Sequence, residues 1–397
     1  MSKNCGRFEY LACMAFLGSV LSIVLSVNAE SQQVLHEFGG GTDGRGPSGT
    51  LALHGSLYGT TSGAGNGYGT VYKLTLKGKI KTIYKFNGQP DGAYPGGVTS
   101  DKKGNLYGTT YSGGDNNWGT IYEISTNGVE RILHSFGGND GCAPRGNLFL
   151  DSAGNLYGTN EYGGSAGGCP YDQASGTVFK LSPDGTFTVL HNFTGSPDGA
   201  DPTSGVVLDK QGNIYGTTSV GGDTLQSGEG VAYKITPSQQ YAIIHTFGPP
   251  PDATVPGGSL VIDKKGILWG ISNGGGAYHQ GTVYKIDSKT NIEAVFYSFN
   301  AAPDGNAPYA ASPALDKAGN IYGSTLFGGD YGFGTIFRVA PDGSETTLLD
   351  FDGQAEGAYP EFSGVTLDAK GNIYAVGTFG GDKTGWNGDG TVVKVTP

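Results

Sequence analysis

Beyond its first 30 residues, the sequence consists of short runs of alternating apolar and polar positions separated by glycine-rich turns. A segment of about 50 residues recurs seven times, which is typical of repeat architectures. Each copy holds a variant of an aromatic-Gly-Thr-Thr element and, later, a variant of a Gly-Thr-Val-Tyr-Lys-Leu element. The aromatic residues of the first element are Tyr58, Tyr107, Tyr157, Tyr215, Trp269, Tyr322 and Tyr374. The glycines that open the second are Gly69, Gly119, Gly176, Gly230, Gly281, Gly334 and Gly390.

The second copy shows the strands that this pattern predicts. Residues 97–101, 105–110, 119–125 and 129–136 each alternate as strands do, and a tight turn at 102–104 joins the first two. Four antiparallel strands in about 50 residues match one propeller blade. Apolar residues on both faces of the third strand indicate sheets packed between two neighbours.

The two ends of the chain predict how the ring closes. The seventh copy lacks a fourth strand, because the sequence ends at 393–397 directly after its third. Residues 34–38 carry the missing pattern at the other terminus. We therefore predict an all-β fold, a seven-bladed β-propeller of four-stranded antiparallel blades, closed by strand 34–38 pairing with 390–395.

A small residue follows the second-strand aromatic in every copy. We expect this position to be crowded because the blades converge near the axis. These residues are Gly59, Gly108, Gly158, Gly216, Gly270, Gly323 and Ala375.

The first 29 residues have the pattern of a secretory signal. Lys3 and Arg7 precede an apolar run at 11–27, and small residues end at Ala29. We predict cleavage after Ala29, a propeller domain over 30–397, and a secreted or periplasmic location. The alternative is an uncleaved membrane anchor, for which this apolar run is short. Beyond the leader, we predict no membrane span.

Charge and cysteine content narrow the function classes further. The formal charge of −11 argues against nucleic acid as a partner, since phosphate binding needs clustered basic residues. Two of the four cysteines lie in the predicted leader. The other two, Cys142 and Cys169, are predicted to form a disulfide in an exported chain. We predict no cofactor.

The repeats resemble the GloVer (Gloeo-Verruco type) tandem repeat of exported bacterial proteins. The matching residues are the Leu-Tyr-Gly-Thr-Thr core at 57–61 and 106–110, Ile-Tyr-Gly-Thr-Thr at 214–218, and the Gly-Thr-Val-Tyr/Phe-Lys-Leu/Ile element at 69–74, 176–181 and 281–286. The resemblance covers nearly the whole chain after the leader. It implies a propeller-like exported protein, and it implies no particular activity.

Acidic residues and histidines recur at fixed positions in the repeat. A ring of carboxylates could hold Ca²⁺, but Ca²⁺ needs six to eight converging oxygens, so turn capping by Asp is favoured and no metal is predicted. The acidic residues are Asp43, Asp91, Asp140, Asp198, Asp252, Asp304 and Glu356. His36, His134, His191 and His245 share one fourth-strand position, at which the alignment places Lys85, Tyr297 and Asp350 in other copies. We interpret these as structural residues.

The long loops, which join strands two and three or one blade to the next, share one face of the ring, where we expect any ligand. Tyr68, Trp118 and Phe333 precede the third-strand glycine, and Trp386 lies nearby in sequence. Such aromatic residues can bind a sugar or a protein partner, although each ring could simply pack over its own hairpin. We therefore predict a non-catalytic binding propeller for a carbohydrate or protein ligand.

Ionisable residues that break the repeat are the basis of two alternatives. An enzyme such as a lyase, lactonase or glycan-active hydrolase would build its site from unlike groups in one place. The candidates are His279, Glu161, Glu229, Arg45 and Arg145. The other alternative is a structural component of the cell envelope.

Overall fold

The structure is a computed structural model that describes residues 31–63, 67–165, 169, 176–222, 229–300, 302–309, 312–361, 363–381 and 388–397. The predicted leader and Trp386 lie outside these residues. Seven sheets of four main strands are arranged in a ring, so the predicted seven-bladed propeller is confirmed.

The strands of the first four blades follow the chain in order, with the inner strand first in each blade. They are β2 (Arg45–Leu53), β3 (Leu57–Gly63), β4 (Thr70–Leu74) and β5 (Ile80–Lys85) in blade 1; β6 (Gly92–Ser100), β7 (Leu106–Gly113), β8 (Thr120–Ile124) and β9 (Glu130–Ser135) in blade 2; β10 (Phe149–Leu150), β11 (Leu156–Asn160), β12 (Thr177–Leu181) and β13 (Phe187–Asn192) in blade 3; β14 (Val207–Leu208), β15 (Ile214–Thr218), β16 (Val231–Ile235) and β17 (Tyr241–Thr246) in blade 4.

Blades 5 and 6 each carry additional short pairing near the ring face, and blade 7 combines both ends of the chain. Their strands are β18 (Ala253–Pro256), β19 (Val261–Ile262), β20 (Ile267–Gly275), β21 (Thr282–Asp287) and β22 (Glu293–Ser298) in blade 5; β23 (Gly305–Asn306), β24 (Ala314–Leu315), β25 (Ile321–Thr325), β26 (Phe327–Gly328), β27 (Thr335–Val339) and β28 (Glu345–Asp350) in blade 6; β29 (Thr366–Leu367), β30 (Ile373–Gly377), β31 (Thr391–Thr396) and β1 (Ser31–Glu37) in blade 7.

The predicted closure of the ring is confirmed. Strand β1 pairs antiparallel with β31, with Gln32 opposite Val395. Leu35 of this strand and Phe38 directly after it are buried in one cluster with Tyr72 of blade 1. Each of the hydrophobic clusters likewise joins residues of two neighbouring blades, so the core is a ring of interfaces between sheets.

The glycine after the second-strand aromatic has a different role from the one we expected. In the sheet register, Gly108 lies directly opposite Tyr122 on the third strand of the same blade. A Cβ at Gly108 would stand 2.6 Å from the Tyr122 Cζ. The crowding therefore comes from a buried aromatic ring across the sheet and not from convergence at the axis. In blade 7 the pair is Ala375 and Val393, in which both partners change together.

The third-strand glycine of each blade accommodates a proline of the next blade. A Cβ at Gly119 would lie 2.8 Å from the Pro144 Cδ, and the same relation recurs at all seven junctions. The residue before each proline has a left-handed backbone, with φ values from 47° to 60°. At the six junctions for which both residues are described, its N–H donates to the carbonyl that precedes the glycine, as Ala143 N does to Trp118 O at 3.0 Å. These contacts hold neighbouring blades in register.

Small residues surround the axis where the inner strands meet. A Cβ at Gly146 would contact the backbone of Gly205, and the backbone N–H of Gly205 donates to Ser259 Oγ at 2.9 Å. The residues around the axis, one from each blade and all small except Asn147, are Gly49, Gly97, Asn147, Gly205, Ser259, Ser312 and Gly364. The inner strands thus contact their neighbours closely around the axis. A cavity lies on the axis itself.

Candidate ligand site at the channel mouth

A cavity of about 360 Å³ lies on the axis. Its walls come from the segments that follow the inter-blade prolines, such as 95–97 and 144–147, and from Ser62 and Tyr111 near the ends of second strands. Both parts belong to the end of the blades that carries the long loops. The lining is rich in glycine backbone and in hydroxyl side chains, with the amide of Asn147 and the rings of Tyr94 and Tyr111 beside them.

Two of the five predicted enzyme residues meet at this mouth. The Arg145 Nε donates to Glu161 Oε2, and the Tyr162 hydroxyl donates to the other carboxylate oxygen at 2.8 Å. The Arg145 guanidinium also lies 4.8 Å from the centre of the Tyr111 ring. Although burial opposes it, the charge of Glu161 raises the pKa of Arg145. Arg145 is therefore a fixed cation in the cavity wall, with Glu161 buried behind it.

Two further ionisable residues have the same place in their blades as Arg145 has in blade 3. Arg145, Tyr309 and Glu361 each directly follow an inter-blade proline. Burial raises the pKa of Tyr309, and the charges of Arg145, Glu161 and Glu361 all act on it. Burial also raises the pKa of Glu361, against the opposing charge of Arg145. Sequence reasoning missed Glu361, which an alignment on the proline would have found.

The other three candidate enzyme residues lie elsewhere. His279 is exposed in the loop between β20 and β21, with a φ of 61°. The Glu229 carbonyl accepts from Val255 N at 3.1 Å, which is one of the contacts between neighbouring blades described above. Arg45 is exposed at the start of β2.

The predicted aromatic binding residues lie at the blade junctions. Each described member packs against a glycine in the turn that follows the fourth strand of its own blade. The pairs are Tyr68 with Gly88, Trp118 with Gly138, and Phe333 with Gly353. Trp118 and Phe333 also belong to the margins of the buried clusters, whereas Tyr68 is 39% exposed. Trp386 lies outside the described residues. A binding role for this set stays a prediction.

The predicted disulfide is present. Cys142 is bonded to Cys169, which joins the turn between blades 2 and 3 to the loop between β11 and β12. Cys142 N and Tyr162 O are also hydrogen-bonded at 2.9 Å. The bond thus anchors the segment that leads directly into Arg145.

The recurring acidic residues make contacts within their own junctions. Asp91 accepts from the backbone N–H of Asn87 at 3.0 Å and from that of Gly92 at 2.7 Å, which caps the turn. The same carboxylate accepts from the Tyr84 hydroxyl at 3.0 Å. Four histidines take the place of Tyr84 at other junctions, as His134 does beside Asp140 at 2.7 Å. These contacts support the interpretation of both sets as structural residues.

The register corrects two assignments in the histidine set. His191 lies opposite Val178, and Tyr84 lies opposite the equivalent Val71. Leu349 occupies this position in blade 6, opposite Ile336. The aligned residues Lys85 and Asp350 are thus off by one, since Lys85 lies opposite Thr70 and Asp350 lies opposite Thr335.

The chain belongs to the Gloeobacter/Verrucomicrobia repeat family, whose model matches residues 17–228 and 223–397. No curated protein sequence matches the chain. In the described residues, no helix is long and apolar enough to cross a bilayer.

Several solved structures share the fold. An oligogalacturonate lyase in complex with manganese is 11% identical with a TM-score of 0.58, and the match covers 92% of this chain and 96% of that one. The extracellular domain of BT3049 from B. thetaiotaomicron is 16% identical with a TM-score of 0.57, covering 92% and 41%. A puromycin hydrolase complexed with PGG is 14% identical with a TM-score of 0.57, covering 84% and 50%. At these identities the likeness concerns the fold alone.

Proposed function

We propose that the protein is exported and binds a small carbohydrate at the mouth of its central channel, without converting it. The observation that carries this proposal is the axial cavity, in which tyrosine rings stand beside backbone, hydroxyl and amide groups. Sugars present apolar ring faces and many hydroxyls, and such a wall complements both.

The size of the cavity favours a small ligand over a protein partner. At about 360 Å³ it lies at the lower end of the range for small-molecule sites. One or two sugar rings fit such a volume, whereas a protein surface would rest on the rim. Arg145 offers directional donors, and its pairing with Glu161 leaves the wall without a large excess of positive charge.

The contacts of the acidic group favour binding over catalysis. Glu161 already accepts from Arg145 and from Tyr162, so its carboxylate is engaged at both oxygens. A general base must reach a substrate proton. The enzyme alternative rests on a different observation, namely that Tyr309 and Glu361 lie within electrostatic reach of Arg145 and have raised pKa values.

The disulfide supports the inferred export. Structural disulfides persist in oxidising compartments and are rare in reducing ones. Cys142 and Cys169 form such a bond. Intact-mass measurement on protein recovered from the producing cells would test both points, because cleavage after Ala29 and loss of two thiol protons each have a defined mass.

Glycan-array binding followed by calorimetry tests the ligand proposal. Tyr94→Asn removes an exposed ring from the mouth, and asparagine tolerates the left-handed backbone found there. We expect binding of at least one small glycan and an affinity loss of about tenfold in this variant, since ring stacking contributes about 0.5–1.5 kcal/mol beyond the area that it buries and about 1.4 kcal/mol corresponds to tenfold.

Two control variants locate the site. Tyr331→Ala removes a 62% exposed ring from the loop face and should leave the affinity unchanged. Tyr68→Ala tests the junction aromatics, and a loss there with none in Tyr94→Asn would move the site away from the mouth. Turnover of a bound glycan would establish the enzyme alternative, and absence of any glycan binding would contradict the proposal.

A further inference from the structure

Each junction between blades contains, at its outer edge, the fourth-strand histidine, tyrosine or leucine and the acidic residue described above. A third side chain lies beside them. It comes from the start of the fourth strand of the following blade. His134 stacks on Phe187 at 3.9 Å between ring centres, and His191 stacks on Tyr241 at 3.8 Å. The residues at this position, by sheet register, are Gln32, Ile80, Glu130, Phe187, Tyr241, Glu293 and Glu345.

The junction between blades 4 and 5 combines three metal-ligating side chains. His245 lies on β17, Asp252 lies in the connecting turn, and Glu293 begins β22. Each residue offers one ligand atom, and these atoms lie within 4.8 Å of one another, the one such group among the residues that the structure describes. All three residues are half-buried.

One oxygen of this group has no partner. The Glu293 Oε1 atom is buried and makes no hydrogen bond within the described part of the chain. A buried carboxylate oxygen destabilises the folded protein unless it accepts a hydrogen bond or binds a cation. Because Asp252 is a second carboxylate at the same place, a cation would satisfy this oxygen and also offset the repulsion between the two carboxylates.

We propose that His245, Asp252 and Glu293 form a binding site for a divalent transition-metal cation of the Zn²⁺ type. Imidazole and carboxylate groups together suit Zn²⁺, at about 2.0–2.2 Å from each ligand atom. Two ligands of a tetrahedral ion then lie about 3.4 Å apart. The 3.2 Å between His245 Nε2 and Asp252 Oδ2 is close to that spacing. Ca²⁺ is disfavoured because it requires six or more oxygens.

The chain contains a matched junction that lacks only the imidazole. Between blades 5 and 6, Tyr297 donates to Asp304 at 2.7 Å, and Glu345 occupies the position of Glu293. A neutral phenol is a poor ligand for Zn²⁺ compared with imidazole. The natural occurrence of tyrosine at this position means that exchanging His and Tyr between the two junctions is compatible with the fold.

Isothermal titration of untagged, chelator-treated protein with Zn²⁺ tests the site. We expect one Zn²⁺ per chain in the parent and at least about tenfold weaker binding in His245→Tyr, since even second-shell changes cost 10–100-fold. Tyr297→His should install a second site and raise the stoichiometry to two. Circular dichroism of each variant establishes that the blades remain folded.

The control variant is His191→Tyr, which removes a histidine from a junction where Tyr241 stands in place of a glutamate. It should bind Zn²⁺ as the parent does. The proposal is wrong if the parent binds no Zn²⁺, if His245→Tyr binds it unchanged, or if His191→Tyr weakens binding as much as His245→Tyr.

Discussion

At the scale of single residues, the size of a side chain in the repeat depends on the side chain that it contacts on another strand or blade. Gly108 is small because the Tyr122 ring fills the space across the sheet, and the third-strand glycine is small because a proline of the next blade abuts it. Blade 7 shows the pairing most clearly, since Ala375 faces Val393 and not an aromatic ring. A residue in this protein is therefore constrained by a partner that lies far along the chain.

The Gly108–Tyr122 pair allows a direct test of this coupling. Gly108→Ala should destabilise the protein by about 1–3 kcal/mol, because the added methyl group overpacks the Tyr122 ring. In the double variant with Tyr122→Val, which imitates blade 7, the added methyl group no longer meets a ring. We expect the double variant to be at least about 1 kcal/mol more stable than the sum of the single effects, as chemical denaturation would measure.

Gly39→Ala is the control for this cycle, because nothing lies within 4 Å of a Cβ at that position. Its effect on the free energy of unfolding should be small. Strict additivity of Gly108→Ala and Tyr122→Val would show that the two positions are not coupled.

At the scale of elements, the outer strand of a blade brings a glutamate close to the acidic residue of the turn that leads into the same blade. Burial, reinforced by the charge of Asp91, raises the pKa of Glu130 to about 7. Burial and then the charge of Asp304 do the same for Glu345, whose pKa is also about 7. Both glutamates thus bind a proton more tightly in the folded chain than in the unfolded chain, where the pKa is about 4.3.

This difference predicts a pH dependence of stability. A raised folded-state pKa contributes stability that is fully present below about pH 4.3 and is lost as the pH rises through about 7. We expect Glu130→Gln/Glu345→Gln to lose less of its melting temperature than the parent between pH 5 and pH 8, because glutamine imitates the protonated form. Differential scanning fluorimetry across this range measures the effect.

The exposed Glu37 supplies the control, since Glu37→Gln on strand β1 should follow the pH profile of the parent. Parallel profiles for the parent and the double variant would contradict the assignment of this pH dependence to the blade junctions.

At the scale of the whole molecule, the ring depends on the pairing of its two ends. Deleting residues 31–38 would remove strand β1 and expose the apolar cluster that Leu35 and Phe38 share with blade 1. Each fully buried apolar side chain contributes about 1.5–3 kcal/mol. The truncated protein should therefore melt at a clearly lower temperature than the parent, as measured by calorimetry.

Gln33→Ala changes an exposed residue of the same strand and should leave the melting temperature almost unchanged. A truncated protein that melts together with the parent would mean that β1 does not stabilise the ring.

The sequence predicted much of the fold but less of the candidate site. The blade count, the closing strand and the Cys142–Cys169 bond all followed from local patterns and their repetition. Of the predicted ionisable set, the structure brings Arg145 and Glu161 together, while His279 is exposed in a loop. Glu361 was missed although it directly follows an inter-blade proline, as Arg145 does, because the repeat pattern alone does not show that the residues after these prolines approach one another.

By itself, the sequence determined the number of blades, their strand order and the closure of the ring, because alternation and repetition are local properties of a chain. Only the tertiary structure decided which side chains meet: Gly108 with Tyr122, Gly119 with Pro144, and Arg145 with Glu161. The physical reason is that these contacts join different strands or blades, so their geometry depends on how the sheets pack and not on spacing along the chain.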